Sequence, residues 1–379
     1  MAVRTLTTFQ AACLIAGGGM GTGILSLPFA AQHMGLAGIL IALCASAAAS
    51  FLLYLTLSEL TRRSNPPAQL PDILGRHLFT GKWGRAFRLT FFILFTFLLI
   101  QTLVVHVVVA SQALEPITGL ASQVGMCAFA AVALVVGLFG LKTVSVFEVV
   151  SVSLIACTLI TLTVLAGTHQ VRAIALDSVE PTKAVSLFSL FMYAFSAIFA
   201  VIQAAGHVPD AASLKRALAI GLGINAVCTL AFLLAALTAS NQVTQVGTLG
   251  LADSVGFPAV RLICSLLIVL AMLTSYWPSL IAFAEVFKST FGLPTGGGQL
   301  LASGIALGLA LALPLSFLDY VKLAAGAISL VIVLLIIPAY RNSLRSQALP
   351  PLIGRTGGGR AVPIALAIVG LAMAAGSIL

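Results

Sequence analysis

The sequence predicts an all-α integral membrane protein of eleven spans, on two observations. Hydrophobic residues make up 60% of the 379 and charged residues 8%, with a mean hydropathy of +1.15. A soluble domain carries about a quarter charged residues. The apolar residues also gather into runs of about 20, the length that crosses a ~30 Å hydrocarbon core. A net charge of +9 would suggest nucleic acid in a soluble protein. Here the charges sit between apolar runs, so the expected surroundings are a lipid bilayer and no nucleic acid.

The runs span 9–33, 36–60, 87–113, 122–141, 145–167, 185–206, 217–239, 258–287, 298–317, 320–340 and 361–379. Ahead of them the first nine residues carry one charge, Arg4, and the first run is long and interrupted, which argues against a cleaved leader. With the N-terminus inside, all but four of the 19 Lys and Arg residues fall in inner loops; Arg172, Lys183, Arg261 and Lys322 lie outside. This positive-inside bias and the odd span count put the C-terminus outside, in a multi-pass protein of the plasma (inner) membrane. The basic, Pro-containing loop 62–77 predicts a short interfacial helix after Pro71, and Trp83 beyond it reads as an interfacial anchor. "TGGG" occurs at 295–298 and 356–359, both read as flexible linkers. The six cysteines lie within apolar segments without a CxxC pair, and read as small core residues. "GRHLFTGKW" lacks the glycine spacing and the Ser or Thr of a phosphate loop.

The first span contains "GGGMGTGILSLP", residues 17–28, with five glycines in seven positions. Each Gly costs up to ~1 kcal/mol relative to Ala in a helix interior. Close packing through GxxxG pairs, Gly17/Gly21 and Gly19/Gly23, accounts for one face but not for three consecutive glycines. The pattern instead predicts a helix that stops near Gly19 and restarts near Gly23. Irregular backbone at membrane depth is tolerated only in protein or against a cavity. Pro28 would then fall where the restarted helix has amides without partners. The restarting half points free N–H groups and its positive dipole end at the gap, suiting a carboxylate. The stopping half leaves carbonyls that suit an ammonium group or a hard cation. An α-amino acid carries both charges, and broken helices in inverted repeats mark transporter binding sites. The span count divides as five, five and one: residues 1–167, 185–340 and an additional helix over 361–379. The middle of span 6 contains neither Gly nor Pro and by itself predicts no break.

"LIAGGGMGTGILSLPFAAQHMGLAG" resembles the first segment of the amino acid/auxin permease superfamily, in particular the bacterial hydroxy and aromatic amino acid permeases. "YAFSAI" (193–198), "VPDAASLKRALAIG" (208–221) and "AMLTSYW" (271–277) follow in the matching order. The resemblance covers essentially the whole chain. It implies eleven spans in the LeuT-type inverted-repeat fold, with helices 1 and 6 broken. It implies that Gly19, Met20, Gly21, Thr22 and Gly23, with Tyr193, Ala194, Phe195 and Ser196, bind the amino acid backbone. It also implies that Thr274 and Ser275, with carbonyls near Ala16, Gly19 and Ala271, stand where sodium-coupled relatives hold Na⁺; the alternative for the two hydroxyls is bonding to the preceding turn or between helices. Ser196 departs from the Glu or His many relatives carry there, which puts a proton-linked role at that position in doubt.

No carboxylate lies near the middle of spans 1, 3, 6 or 8, and no Lys or Arg is central. The expected substrate is therefore a neutral amino acid, with aromatic or other apolar side chains favoured. Tyr193, Phe195, Phe199 and Tyr276 are candidates for an apolar pocket, and Gln101 for a substrate contact. Span 5 has no Lys or Arg to replace a cation, which favours Na⁺ over H⁺ as the coupling ion; a proton-coupled permease is the alternative. Glu148, near the inner edge of span 5, is expected to snorkel or pair with Lys142, with a functional role as the alternative for an ionisable residue within a span. His106 reads as a hydrogen-bonded packing residue, with proton relay as the alternative, and His207 and Asp210 as solvated loop residues or a gate. HExxH and GxSxG are absent, so no enzyme and no cofactor beyond the coupling ion is expected. An ion channel would call for charge rings or repeated carbonyl filters. The expected assembly is a monomer.

Overall fold

The computed structural model describes residues 5–64, 68–167, 174, 180–240, 243–244, 247–255, 258–312, 331, 335–344, 352–353 and 361–378. The chain is all-helical through these residues. Its first helix is interrupted, as α1 (Thr8–Gly19) and α2 (Thr22–Ala31), which meet at 54°. Then come α3 (Leu36–Arg63), the short α4 (Leu70–His77), α5 (Gly84–Thr118), α6 (Ser122–Leu138) and α7 (Leu141–Gly167). A second interrupted helix follows as α8 (Pro181–Ala194) and α9 (Ile198–His207), bent by 42°. The rest is α10 (Ala211–Ala239), α11 (Gly247–Val255), α12 (Pro258–Phe291), α13 (Thr295–Ala312), α14 (Ile337–Ser343) and α15 (Ala361–Ile378). Among the described residues seven helices are long and apolar enough to cross a membrane, or nine with the two bent pairs; α6 is a shorter apolar helix. The expected span 320–340 and the end of 298–317 fall mostly outside the described residues. So do Arg4, Arg172, Lys322, Arg345, Arg355, Arg360 and the second TGGG.

The interrupted helices form the centre. α1 packs on α7, α9, α10 and α12, and α2 on α8, α10 and α11, so every residue from Ala11 to Pro28 is buried except the half-buried Gly18. The outer helices carry the opposite pattern. Ile93 and Phe97 of α5, Val132 of α6, Ile160 of α7, Val227 of α10 and Ile368 of α15 are all more than half exposed. Such an apolar circumference fits hydrocarbon rather than water.

The first helix stops at Gly19 as expected and restarts at Thr22, beside Gly23, with Gly21 as the N-cap of α2. Other local expectations are corrected. Pro28 is the seventh residue of α2, beyond the four amides that lack partners, and removes the N–H that would bond the Ile24 carbonyl. The first TGGG is no linker but the opening turn of α13. Gly298 there lets α13 approach α12, since a methyl at that position would lie 2.8 Å from Ala284 Cα. Cys44, Cys127 and Cys157 are exposed on outer helix faces; only Cys13, Cys228 and Cys264 are buried. α4 contains Pro71 instead of following it, and begins with the Gln69 amide donating to the Asp72 carboxylate at 3.2 Å. α11 fills part of a loop for which the sequence predicts no element.

One end of the bundle is fastened by a buried ion pair. Arg63 meets Glu59 at 2.9 Å with both side chains almost wholly covered. Glu59 also accepts from the Leu352 amide (3.1 Å), and Arg63 donates to the Ser343 carbonyl (3.4 Å). A buried charge is tolerable only with such partners.

Candidate substrate and cation site

The two interruptions lie side by side. Thr22 Oγ1 and Tyr193 Oη are 2.9 Å apart, joining the start of α2 to the end of α8. The absence of a side chain at Gly23 permits this approach, because a Cβ there would sit 2.7 Å from Ala194 Cα and 2.9 Å from the Tyr193 ring. The second break has no glycine or proline; neighbouring side chains hold its released carbonyls. The Tyr54 hydroxyl of α3 donates to the Phe195 carbonyl, and Asn225 Nδ2 of α10 donates to the Ala194 carbonyl at 3.3 Å. Thr229 fixes Asn225 by donating to its Oδ1 at 3.0 Å. Asn225 also abuts Gly19, where a Cβ would collide with its amide nitrogen, so this residue braces both breaks.

A cavity of ~980 Å³, measured out to its mouth, opens at the breaks. Its polar lining is Thr22, Gln101, Thr102, His106, Tyr193, Ser196, Ser275 and Ser279, with the backbone of Gly18, Gly19, Gly21 and Gly23. Phe95 and Phe199, in edge contact at 5.7 Å between centroids, form an aromatic wall with Leu70, Leu98 and Ile198. No Asp, Glu, Lys or Arg is among these lining residues. A concave site that joins apolar walls to convergent polar groups suits a small organic ligand.

Oxygen atoms collect beside the cavity, at the end of α1. Ser275 Oγ donates to the Gly17 carbonyl at 3.2 Å and the Gly18 carbonyl at 3.4 Å. Thr274 Oγ1 donates to the Ala271 carbonyl at 3.1 Å, and the Ala16 carbonyl accepts from the Met20 amide at 3.1 Å. Thr274 is fully buried, and a Cβ on Gly17 would lie 2.8 Å from its Cβ. Hydroxyls and carbonyls are the ligand types of a small hard cation.

A family model described as "Transmembrane amino acid transporter protein" matches residues 4–292. The chain belongs to the transmembrane amino acid transporter family. No curated protein sequence matches it. Among solved structures it is similar to Mhp1, a nucleobase-cation-symport-1 family transporter in a closed conformation with bromovinylhydantoin bound. The identity is 13% and the TM-score 0.72, with 100% of this chain and 91% of that one covered. It is also similar to a Na⁺-coupled sialic acid symporter in a substrate-bound outward-open state, at 13% identity and TM-score 0.69, covering 98% and 89%. Both likenesses carry the fold, which is of the LeuT type, on a multi-pass transporter.

Within this amino acid transporter, the expected substrate residues divide. Gly19, Gly21, Thr22, Gly23, Gln101, Tyr193 and Ser196 line the cavity; Met20, Ala194, Phe195 and Tyr276 do not. Phe195 is fully buried and stacks on Phe191, with its carbonyl taken by Tyr54. Tyr276 points away, its hydroxyl 2.8 Å from Ser303 Oγ and its ring edge-on to Phe129. Of the expected cation residues, Ser275 reaches the Gly17 and Gly18 carbonyls and Thr274 that of Ala271. His106 is no hydrogen-bonded packing residue. It lines the cavity, and its Nδ1 has no partner. Glu148 neither snorkels nor meets Lys142: it is wholly buried, and Lys142 is exposed. His207 Nδ1 bonds the Gln203 carbonyl at 2.8 Å. Asp210 caps α10 through the Ser213 amide at 2.7 Å, a bond that holds its carboxyl below the usual range.

Proposed function

We propose that the chain is a secondary active symporter for a neutral amino acid, working by alternating access and coupled to Na⁺. The observation that carries this reading is the meeting of two interrupted helices at a cavity with no Asp, Glu, Lys or Arg among its described lining residues. The first amides of α2 have no intrahelical partners and would take the substrate carboxylate. The second lone pairs of the carbonyls at the end of α8, beyond those held by Tyr54 and Asn225, would take its ammonium group. The Phe95–Phe199 wall favours an apolar or aromatic side chain. The oxygens around Thr274 and Ser275 fit Na⁺ by type, and these residues with the Gly17, Gly18 and Ala271 carbonyls would hold it. We place the N-terminus on the cytoplasmic side of the plasma membrane and the C-terminus outside, in a monomer. We also pair residues 1–167 with 185–340 as inverted repeats, α1–α2 matching α8–α9.

Uptake into liposomes of purified protein tests the reading. A neutral amino acid should accumulate with an inward Na⁺ gradient, and Thr274→Ala or Ser275→Ala should cut that uptake at least tenfold. Better uptake of arginine than of any neutral amino acid would refute the substrate class. Equal uptake on a pH gradient without Na⁺ would refute the coupling ion. Saturable counterflow separates the carrier from a channel, since a pore shows no exchange acceleration.

A further inference from the structure

Glu148 is an acidic side chain in the middle of the protein that the substrate cavity does not use. It projects from α7, which packs against α1, α10 and α12. Its exposure is 0%, and neither carboxylate oxygen has a hydrogen-bond partner. The position is built, because a Cβ on Gly17 would collide with Glu148 Oε2 and press on the Thr274 side chain. One point at the end of α1 thus brings together a carboxylate oxygen, Thr274 and the Gly17 backbone. The Gly17 carbonyl also accepts from Ser275.

Resting on the Na⁺-coupled reading above, we propose that Glu148 is an anionic ligand of the cation site. In that site the Glu148 carboxylate faces the same cation as Thr274 and Ser275. A carboxylate is a strong ligand for a hard cation, and burial without a partner is costly for either charge alone. Cation and carboxylate together are neutral, so the pair is tolerated where each alone is not. The lack of a side chain at Gly17 then has a definite purpose: it admits the carboxylate to the end of α1.

The test is Na⁺ binding by the purified full-length protein, at constant ionic strength with choline as replacement. It is read by thermal unfolding and by intrinsic fluorescence, for which Trp277 lies two residues from Ser275. The wild type should show a saturable, Na⁺-specific shift, and Glu148→Gln should raise its midpoint concentration at least tenfold. An unchanged midpoint in E148Q, with Na⁺ binding intact in both proteins, overturns the role of Glu148 and leaves the Na⁺-coupled reading standing. No Na⁺ response in the wild type, with uptake driven by a pH gradient, overturns both. Should E148Q not fold, the infrared difference spectrum of the wild type with and without Na⁺ decides. A carboxylate stretching change supports the proposal, and a featureless carboxylate region overturns it.

Discussion

The side chain of His106 shows how much one position can carry. It is buried, lines the cavity opposite Gly21 and leaves Nδ1 without a partner. A hydrogen bond to a charged ligand contributes about 1.5–3 kcal/mol, so His106→Leu should weaken substrate binding roughly 10- to 100-fold in a binding assay, with thermal stability held. The glycines make a second prediction at this scale. Gly17→Ala and Gly23→Ala each place a methyl in occupied space, against Glu148 and Thr274 in one case and Ala194 in the other. Both should abolish uptake, whereas Gly304→Ala, where no atom lies within 4 Å of the added carbon, should leave it intact. The break between Gly19 and Thr22 was legible because five glycines in seven positions contradict a continuous helix. Glu148 was misjudged because depth along a helix does not tell which face is buried; a carboxylate six residues from Lys142 on the same helix reads as an edge residue until α1 and α12 are in place.

At the scale of elements, the two breaks have different origins. The first is written locally, in glycine. The second is supported from outside: Tyr54 and Asn225 donate to the carbonyls released at the end of α8. Nothing in "YAFSAI" announces it, and only the family resemblance anticipated it; its determinants lie on α3 and α10. Removing a donor and leaving a buried carbonyl unpaired costs about 1–3 kcal/mol. Tyr54→Phe and Asn225→Leu should each lower the unfolding temperature and reduce uptake, and the double variant should show non-additive loss. Spans 2, 3, 5, 7 and 8 were legible to within a turn or two by apolar length alone. α5 nevertheless runs at least three residues past its expected ends, because the pattern cannot distinguish lipid from the aqueous margin.

For the whole molecule, the buried pair of Glu59 and Arg63 ties α3 to the segment after α13. Breaking one partner of a buried pair costs about 3–5 kcal/mol. Glu59→Ala should therefore destabilise the protein in thermal unfolding far more than Glu180→Ala, whose bridge to Lys183 is exposed. The halves of the interrupted helices also exchange partners. α1 meets α9, with the Leu6 amide on the His207 carbonyl and Gly18 against Ala200; α2 meets α8 through Thr22, Tyr193 and Gly23. On the alternating-access reading proposed above, the four segments would work as two crossed levers on a shared fulcrum. Tilting one pair would widen the chamber on its own side while the other keeps its grip, so access would switch sides without severing the contacts that define the levers.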